Sequence, residues 1–135
     1  MNFIFVSICI LKNKNKILIT KRPSNKLFGE FWEFPGGKLE NTETFEEAIV
    51  RELHEELGIR ININNLKSLD IFNHSYDGKN YILMNLFCLD KWSGKIRNKD
   101  TKKFLWVSKI GPFPNKFLDG GLLILKRLKN GYYKL

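Results

Sequence analysis

The chain has 135 residues, 43% of them hydrophobic and 27% charged. That suits one globular domain around one core and excludes a disordered or fibrous segment. The formal net charge is +9, but the lysines are scattered, with Lys102-Lys103 the only dense pair. This implies a general attraction for phosphate-bearing ligands and no stable nucleic-acid complex.

No apolar run approaches the roughly 20 residues that a membrane-spanning helix needs, so no membrane partner is expected. The opening MNFIFVSICILKNK lacks a basic leader and a small-residue cleavage site. It reads as a buried first strand of a cytoplasmic protein. Residues Phe3 to Leu11 are mostly β-branched or aromatic, which predicts a strand. Lys12 to Asn15 form a polar turn, and Lys16 to Lys21 resume as the second arm of a hairpin. Arg22 to Phe31 is a loop broken by Pro23, Ser24, Asn25 and Gly29. Trp32 to Phe34 is a short strand that ends at Pro35-Gly36-Gly37. A helix follows over Thr42 to Leu57, with Thr42 as N-cap, acidic residues from Glu43 to Glu47 in its first turns, and Gly58 as its stop. Strands follow at Leu66 to Tyr76 and Asn80 to Trp92 around an Asp77-Gly78 hairpin. After a loop from Ser93 to Lys103 come a strand at Phe104 to Val107, a connection punctuated by Pro112 and Pro114, and a closing amphipathic helix over Leu118 to Lys129. This order predicts a single α/β domain spanning residues 1–135, a mixed sheet with a helix on each face. Cys9 and Cys88 lack any spacing for zinc or redox work and read as buried free thiols.

On a helical wheel, Phe45, Ile49, Leu53 and Leu57 make one apolar stripe that packs on the sheet. Glu52, Glu55 and Glu56 fall on a neighbouring arc, with Ala48 leaving room beside them. Carboxylates at this spacing repel one another. In an arbitrary helix they would form a solvated acidic face. Here they sit in a basic protein, just after a Gly-Gly turn that brings backbone close to a ligand. A hard cation such as Mg²⁺, or Mn²⁺, would remove the repulsion and be shared with substrate phosphates. Arg51 lies among these acids, four residues from Glu47 and Glu55 and eight from Glu43. It either pins the carboxylates in place or makes ordinary exposed ion pairs.

From Gly37 the sequence reads GKLENTETFEEAIVRELHEELGI. This resembles the catalytic box of the Nudix family at Gly37, Glu43, Arg51, Glu52, Leu53, Glu55, Glu56, Gly58 and Ile59, nine specified positions over 23 residues. Phe34-Pro35-Gly36-Gly37-Lys38 is similar to the entry of the box in MutT-type enzymes, and Leu86 to Gly94, Ile19 to Arg22 and Leu125 to Leu128 are similar to further MutT segments in the same order. The resemblance implies the Nudix fold and hydrolysis of oxidised purine nucleoside triphosphates, such as 8-oxo-dGTP, to the monophosphate and pyrophosphate. That reaction cleans the nucleotide pool and prevents mutation. The resemblance also implies residue roles. Glu52, Glu55 and Glu56 would bind the metal together with the carbonyl of Gly36, and Glu43 and Arg51 would support the box. Lys38 would lie near the phosphates and Arg22 would contact the nucleotide. Phe34 and the apolar residues of the first strand would line the base pocket. A monomer is expected.

The chemistry expected is attack of water on a bridging phosphorus, with no covalent nucleophile. Metal ions neutralise the phosphates and lower the pKa of the bound water. Two departures from MutT stand out. Relatives carry a Glu just after the Trp-x-Gly of the loop, whereas here Lys95 follows Trp92-Ser93-Gly94 and the nearest acid is Asp100. Either Asp100 joins the metal site, or Glu55 or Glu56 serves as base. MutT also reads the purine edge with an Asn where this chain has Asp119. An ionised Asp only accepts hydrogen bonds, so Asp119 either reads the base or stabilises a helix dipole. His54 reads as an exposed helix residue and His74 as a strand residue beside a loop. Trp32, Trp92 and Trp106 read as core. Two rival functions remain: a Nudix hydrolase for a dinucleoside polyphosphate, nucleotide sugar or capped RNA end, and a Nudix-fold module that binds nucleotide without hydrolysis.

Overall fold

The computed structural model describes residues 2–101 and 103–135. Lys102, half of the basic pair noted above, lies outside them. Seven strands and two α-helices follow in the order β1 (Asn2–Asn13), β2 (Lys16–Lys21), β3 (Trp32–Glu33), β4 (Gly36–Lys38), α1 (Phe45–Leu57), β5 (Lys67–His74), β6 (Asn80–Leu89), β7 (Lys103–Ser108) and α2 (Leu122–Lys129), with 3₁₀ turns at Ile63–Asn65 and Asp119–Gly121.

The sheet is mixed. β1 and β6 run parallel from Asn2↔Asn80 to Leu11↔Leu89, and every other strand pairing is antiparallel. Its order is β3-β2-β1-β6-β5, with β4 also on β1 and β7 also on β2. The alternation of side chains along each strand feeds two separate cores. Ile8 and Ile10 of β1, Ile17 and Ile19 of β2 and Leu86 of β6 pack with Ile124, Leu125 and Leu128 of α2. Cys9, Leu11, Leu18, Phe87 and Leu89 pack with Ile49, Leu53 and Leu57 of α1. A helix therefore covers each face, as the order of elements predicts.

The feature that makes room for a site is a fork in this sheet. β1 pairs with β2 only at Lys12↔Ile17 and Asn13↔Lys16. Further back, at Val6 to Ile8, the same edge of β1 is taken by β4. The sequence reads Gly36-Gly37 as a turn, yet its backbone is a short strand. Gly36 is required there: its φ is 148°, and a Cβ would lie 2.1 Å from the Ser7 carbonyl oxygen.

Element ends shift from the sequence reading for local reasons. The N-cap of α1 is Thr44, not Thr42. Thr44 Oγ1 accepts from the Glu47 N–H at 3.1 Å, while Glu47 Oε1 accepts from the Thr44 N–H at 2.9 Å, a reciprocal capping box. Glu43 is thereby left before the helix and free for another task. Gly58 ends α1 in the left-handed region at φ 73°, as expected. β6 stops at Leu89 and β5 at His74. The closing helix begins as the 3₁₀ turn at Asp119–Gly121. Cys9 is buried, but Cys88 is only partly so. Trp32 is core, and Trp92 and Trp106 stack on each other at 6.3 Å. No helix among the described residues is long and apolar enough to cross a membrane.

Candidate active site

The acids of α1 are held by one guanidinium. Arg51 Nε donates to Glu43 Oε2 at 2.7 Å and Nη2 to Glu43 Oε1 at 3.0 Å. Its Nη1 reaches Glu52 at 2.8 Å and Glu55 at 3.2 Å, and its Nη2 also bonds the Lys38 carbonyl at 2.9 Å. Arg51 thus ties α1 to β4 and to the residue released by the Thr44 cap. It does not pair with Glu47, which the capping box occupies. Such a fork-to-carboxylate network is ordered and directional, unlike a scattered exposed ion pair. Arg51 accordingly holds its proton more tightly than usual, and the Glu43 carboxyl is pulled below its usual range by the Arg51 hydrogen bond.

Glu52 and Glu56 differ from Glu43. Glu52 lies against Gly37 so closely that a Cβ there would meet its Oε1 at 2.5 Å. Burial raises its proton affinity, with Arg51 opposing. Glu56 points inward and accepts the Gly36 N–H at 3.2 Å. Its proton affinity is raised well above normal, first by burial and then by the neighbouring carboxylates of Glu52 and Glu33. Glu55 is exposed. Ala48, read as leaving room beside these acids, is fully buried. Among the described residues no group of three His, Cys, Asp or Glu side chains encloses a metal position. The donor set still fits a hard divalent cation. It is all oxygen, it crowds negative charge, and Glu56 accepts the Gly36 N–H but has no ion pair among the described residues to offset its burial.

Beside these acids the fork opens into a cavity of about 310 Å³, at the small end of the usual range for ligand sites, roughly 300–1,000 Å³. Val6 and Ile8 of β1, Ile82 and Met84 of β6, and Phe34 and Phe117 form much of its apolar wall. Phe34 meets Phe117 edge to face at 5.3 Å. Phe117 is brought there because β3 is clasped by the chain before α2: the Trp32 N–H bonds the Lys116 carbonyl at 2.7 Å, and the Leu118 N–H bonds the Trp32 carbonyl at 2.9 Å. Gly36, Gly37 and Lys38 line the side facing α1. Arg22 is also in the wall, as the resemblance implies. It grips Glu33, which sequence reasoning missed, through Nη1 at 3.1 and 3.2 Å. Glu33 is a carboxylate whose proton affinity is raised by burial despite Arg22. Its alternation with the core residue Trp32 along β3 was the one available signal.

Other sequence-predicted residues lie at the margin. Asp119 is exposed, and the wall contains Leu118, Gly120 and Gly121 but not Asp119. Asp100 is exposed on a loop whose backbone docks over the end of α1, with the Lys99 N–H on the Glu56 carbonyl at 2.9 Å and the Arg97 N–H on the Leu57 carbonyl at 2.8 Å. Lys95 is exposed on the same loop. His54 is exposed, and His74 packs against Tyr76 with a buried, unpartnered Nε2.

A carboxylate helix braced by Arg51 beside a forked mixed sheet suits a phosphate-bearing substrate held with a divalent cation. The family model of the NUDIX domain matches residues 1–113, so the chain belongs to the Nudix family. It is a MutT-like Nudix pyrophosphohydrolase, of a family that generally uses divalent metals. The 8-oxo-dGTP diphosphatase of Proteus vulgaris is 38% identical over 90 residues, covering 67% of this chain and 78% of that protein. The ADP-ribose pyrophosphatase of Methanocaldococcus jannaschii is 33% identical over 125 residues, covering 90% of this chain and 72% of that protein. A MutT structure from work on Aliivibrio salmonicida and Vibrio cholerae superposes with a TM-score of 0.77 at 28% identity, covering 96% of this chain and 99% of that one.

Proposed function

We propose that this enzyme hydrolyses purine nucleoside triphosphates, oxidised forms such as 8-oxo-dGTP foremost, to the monophosphate and pyrophosphate, using Mg²⁺ with Mn²⁺ as a substitute. The observation that carries this reading is the apolar cavity opening directly beside the acids of α1, with Gly36 to Lys38 as their common wall. A flat base fits between Phe34, Phe117 and the apolar residues of β1 and β6, while its phosphates run toward α1. The name of the Proteus vulgaris relative supports the choice of base.

Glu52, Glu55 and Glu56, with the Gly36 carbonyl and Asp100 of the loop, would hold the ion. When bound, a divalent ion neutralises phosphate charge and makes water a better nucleophile. Arg51 and Glu43 restrain Glu52 and Glu55 so that the ligand set does not collapse on itself. Lys38 adds positive charge at the phosphate end of the cavity, and Arg22, braced by Glu33, orients the nucleotide. Removing oxidised nucleotides would keep them out of newly copied DNA.

A second reading, a diphosphate-linked nucleoside such as ADP-ribose, is favoured by the Methanocaldococcus jannaschii relative. Turnover of 8-oxo-dGTP, dGTP, ADP-ribose and diadenosine polyphosphates with Mg²⁺ separates the two. The expected result is the highest kcat/KM for 8-oxo-dGTP, with release of pyrophosphate. A higher kcat/KM for ADP-ribose would overturn it, and no turnover of any would leave a binding module.

A further inference from the structure

One corner of the cavity is gathered around a tyrosine. Tyr76 lies in the hairpin between β5 and β6 and forms part of the cavity wall. Its ring stacks on Phe28 of the β2–β3 loop at 6.0 Å and meets His74 edge to face at 4.6 Å. Its hydroxyl accepts the Gly120 N–H at 3.3 Å, from the turn before α2. Three segments thus fix one side chain, although much of the residue is exposed. Gly120 and Met84 line the cavity as well. A Cβ on Gly120 would stand 2.8 Å from Met84 Cε, 3.1 Å from the Tyr76 hydroxyl and 3.8 Å from His74 Cδ2. A side chain there would fill the corner, and glycine leaves it open. The register places this corner away from α1. Met84 pairs with Val6, and Val6 pairs with Lys38 on its other side. Two strand spacings, roughly 10 Å, therefore separate it from β4.

A phenolic hydroxyl both accepts and donates. Gly120 occupies an acceptor position of Tyr76. Among the described residues the hydroxyl hydrogen has no acceptor within the protein. Beside it, His74 Nε2 is buried and unpartnered, a state that costs free energy until a partner is supplied. The other polar side chains of the wall are placed differently. Arg22 and Glu33 bind each other, and Lys38 belongs to β4. Among the described residues Tyr76 is the one uncharged hydrogen-bonding side chain in the wall. The corner therefore presents a hydrogen-bond donor to whatever part of a ligand reaches farthest from β4.

We propose that Tyr76 is a specificity-determining residue whose hydroxyl donates a hydrogen bond to the carbonyl oxygen at position 6 of the purine. The proposal deepens the purine nucleoside triphosphate reading and rests on it. With the phosphates beside α1 and β4, the base enters the cavity with its sugar end toward them. Position 6 lies on the ring remote from the sugar bond, whereas the oxygen at position 8 lies next to that bond. The corner at Tyr76 therefore meets position 6. A guanine-type base offers an acceptor there. An adenine-type base offers an amino group, whose hydrogens would face the Tyr76 donor while Gly120 holds the acceptor side. A site that leaves polar groups unpaired in this way rejects the wrong ligand.

Calorimetric binding of 8-oxo-dGMP and 8-oxo-dAMP, which carry a carbonyl and an amino group at position 6, to wild type and Tyr76→Phe tests this. Phenylalanine keeps the ring stacked on Phe28 and removes only the hydroxyl. Wild type should prefer 8-oxo-dGMP. Tyr76→Phe should weaken 8-oxo-dGMP roughly fivefold to tenfold, as expected for losing one neutral hydrogen bond. It should leave 8-oxo-dAMP within about twofold, so that the preference shrinks. The Gly120 N–H loses its acceptor whichever nucleotide binds, so a merely structural role would weaken both ligands alike. In turnover of 8-oxo-dGTP, KM should rise while kcat stays nearly constant. Unchanged binding of 8-oxo-dGMP by Tyr76→Phe, equal losses for the two nucleotides, or a wild type without preference between them would each overturn the role. A wild type that binds 8-oxo-dGMP through Tyr76 yet hydrolyses no triphosphate would sink the function while leaving the contact standing. A wild type that binds neither nucleotide would sink both.

Discussion

The two halves of the site are built in opposite ways. On α1 the polar groups are wired together: one arginine touches Glu43, Glu52, Glu55 and the Lys38 carbonyl. In the cavity the walls are mostly apolar, and the paired charges are confined to Arg22 and Glu33. The first half concentrates charge and then restrains it. The second shapes an empty space and places few polar groups in it. The same chemistry can therefore be kept while the cavity is altered, and mutations in the two halves should separate into effects on kcat and effects on KM.

The largest effect should come from Glu56→Gln. If α1 is the catalytic half, losing this carboxylate should lower kcat on the order of a thousandfold, since a catalytic metal contributes several kcal/mol of charge stabilisation. Stability should move the other way. The proton affinity of Glu56 is raised by burial and by Glu52 and Glu33. The folded chain thus binds this proton more tightly than the unfolded chain, and ionisation removes stability as pH rises from the ordinary carboxylate range toward the folded pKa. Gln does not ionise. In the presence of a chelator, Glu56→Gln should melt above wild type at about pH 7, with the gap closing toward about pH 4. A variant that retains activity within tenfold would remove Glu56 from the catalytic half.

Arg51→Lys should come next, with kcat lowered about 10- to 100-fold and KM nearly constant, because a lysine cannot hold Glu43, Glu52 and the Lys38 carbonyl at once. Steady-state kinetics checks this. A rise in KM with unchanged kcat would mean that Arg51 binds substrate rather than positioning the acids.

The difference between the halves also explains what could be read from sequence. Arg51, Glu52, Glu55 and Glu56 lie within one short segment, where helical periodicity relates them without knowledge of the fold. The link from Glu43 to Arg51 was legible only through the resemblance, because Glu43 lies before the Thr44 cap and off the helical wheel. The cap was misassigned by two residues because Thr42 and Thr44 are both competent, and only Thr44 has a Glu three positions on to complete the box. The cavity is assembled from β1, β3, β4, β6, the β2–β3 loop and the chain before α2, so its composition depends on register. The strand at Gly36–Lys38 was invisible because its pairing with Val6 to Ile8 is long-range and glycine carries no strand propensity. Glu33 was missed for the same reason: its pairing with Arg22 and its place in the wall depend on the fold of β3, whereas Asp119 was singled out by alignment order and sits outside the wall.

The smallest effects should divide Glu33 from Asp119 and so sharpen the boundary of the second half. Glu33→Gln keeps the shape of the wall but removes the charge that Arg22 Nη1 contacts at 3.1 and 3.2 Å. It should raise KM several-fold to about tenfold with little change in kcat, the size expected for weakening one partly buried charged hydrogen bond. Asp119→Asn alters an exposed side chain outside the wall, and both KM and kcat should stay within about twofold. The contrast is informative because both residues are acidic and both flank the clasp between β3 and the chain before α2. If Asp119→Asn instead moves KM for 8-oxo-dGTP more than Glu33→Gln does, the base is read from the start of that last turn, and the closing segment must swing in over the cavity when the nucleotide binds.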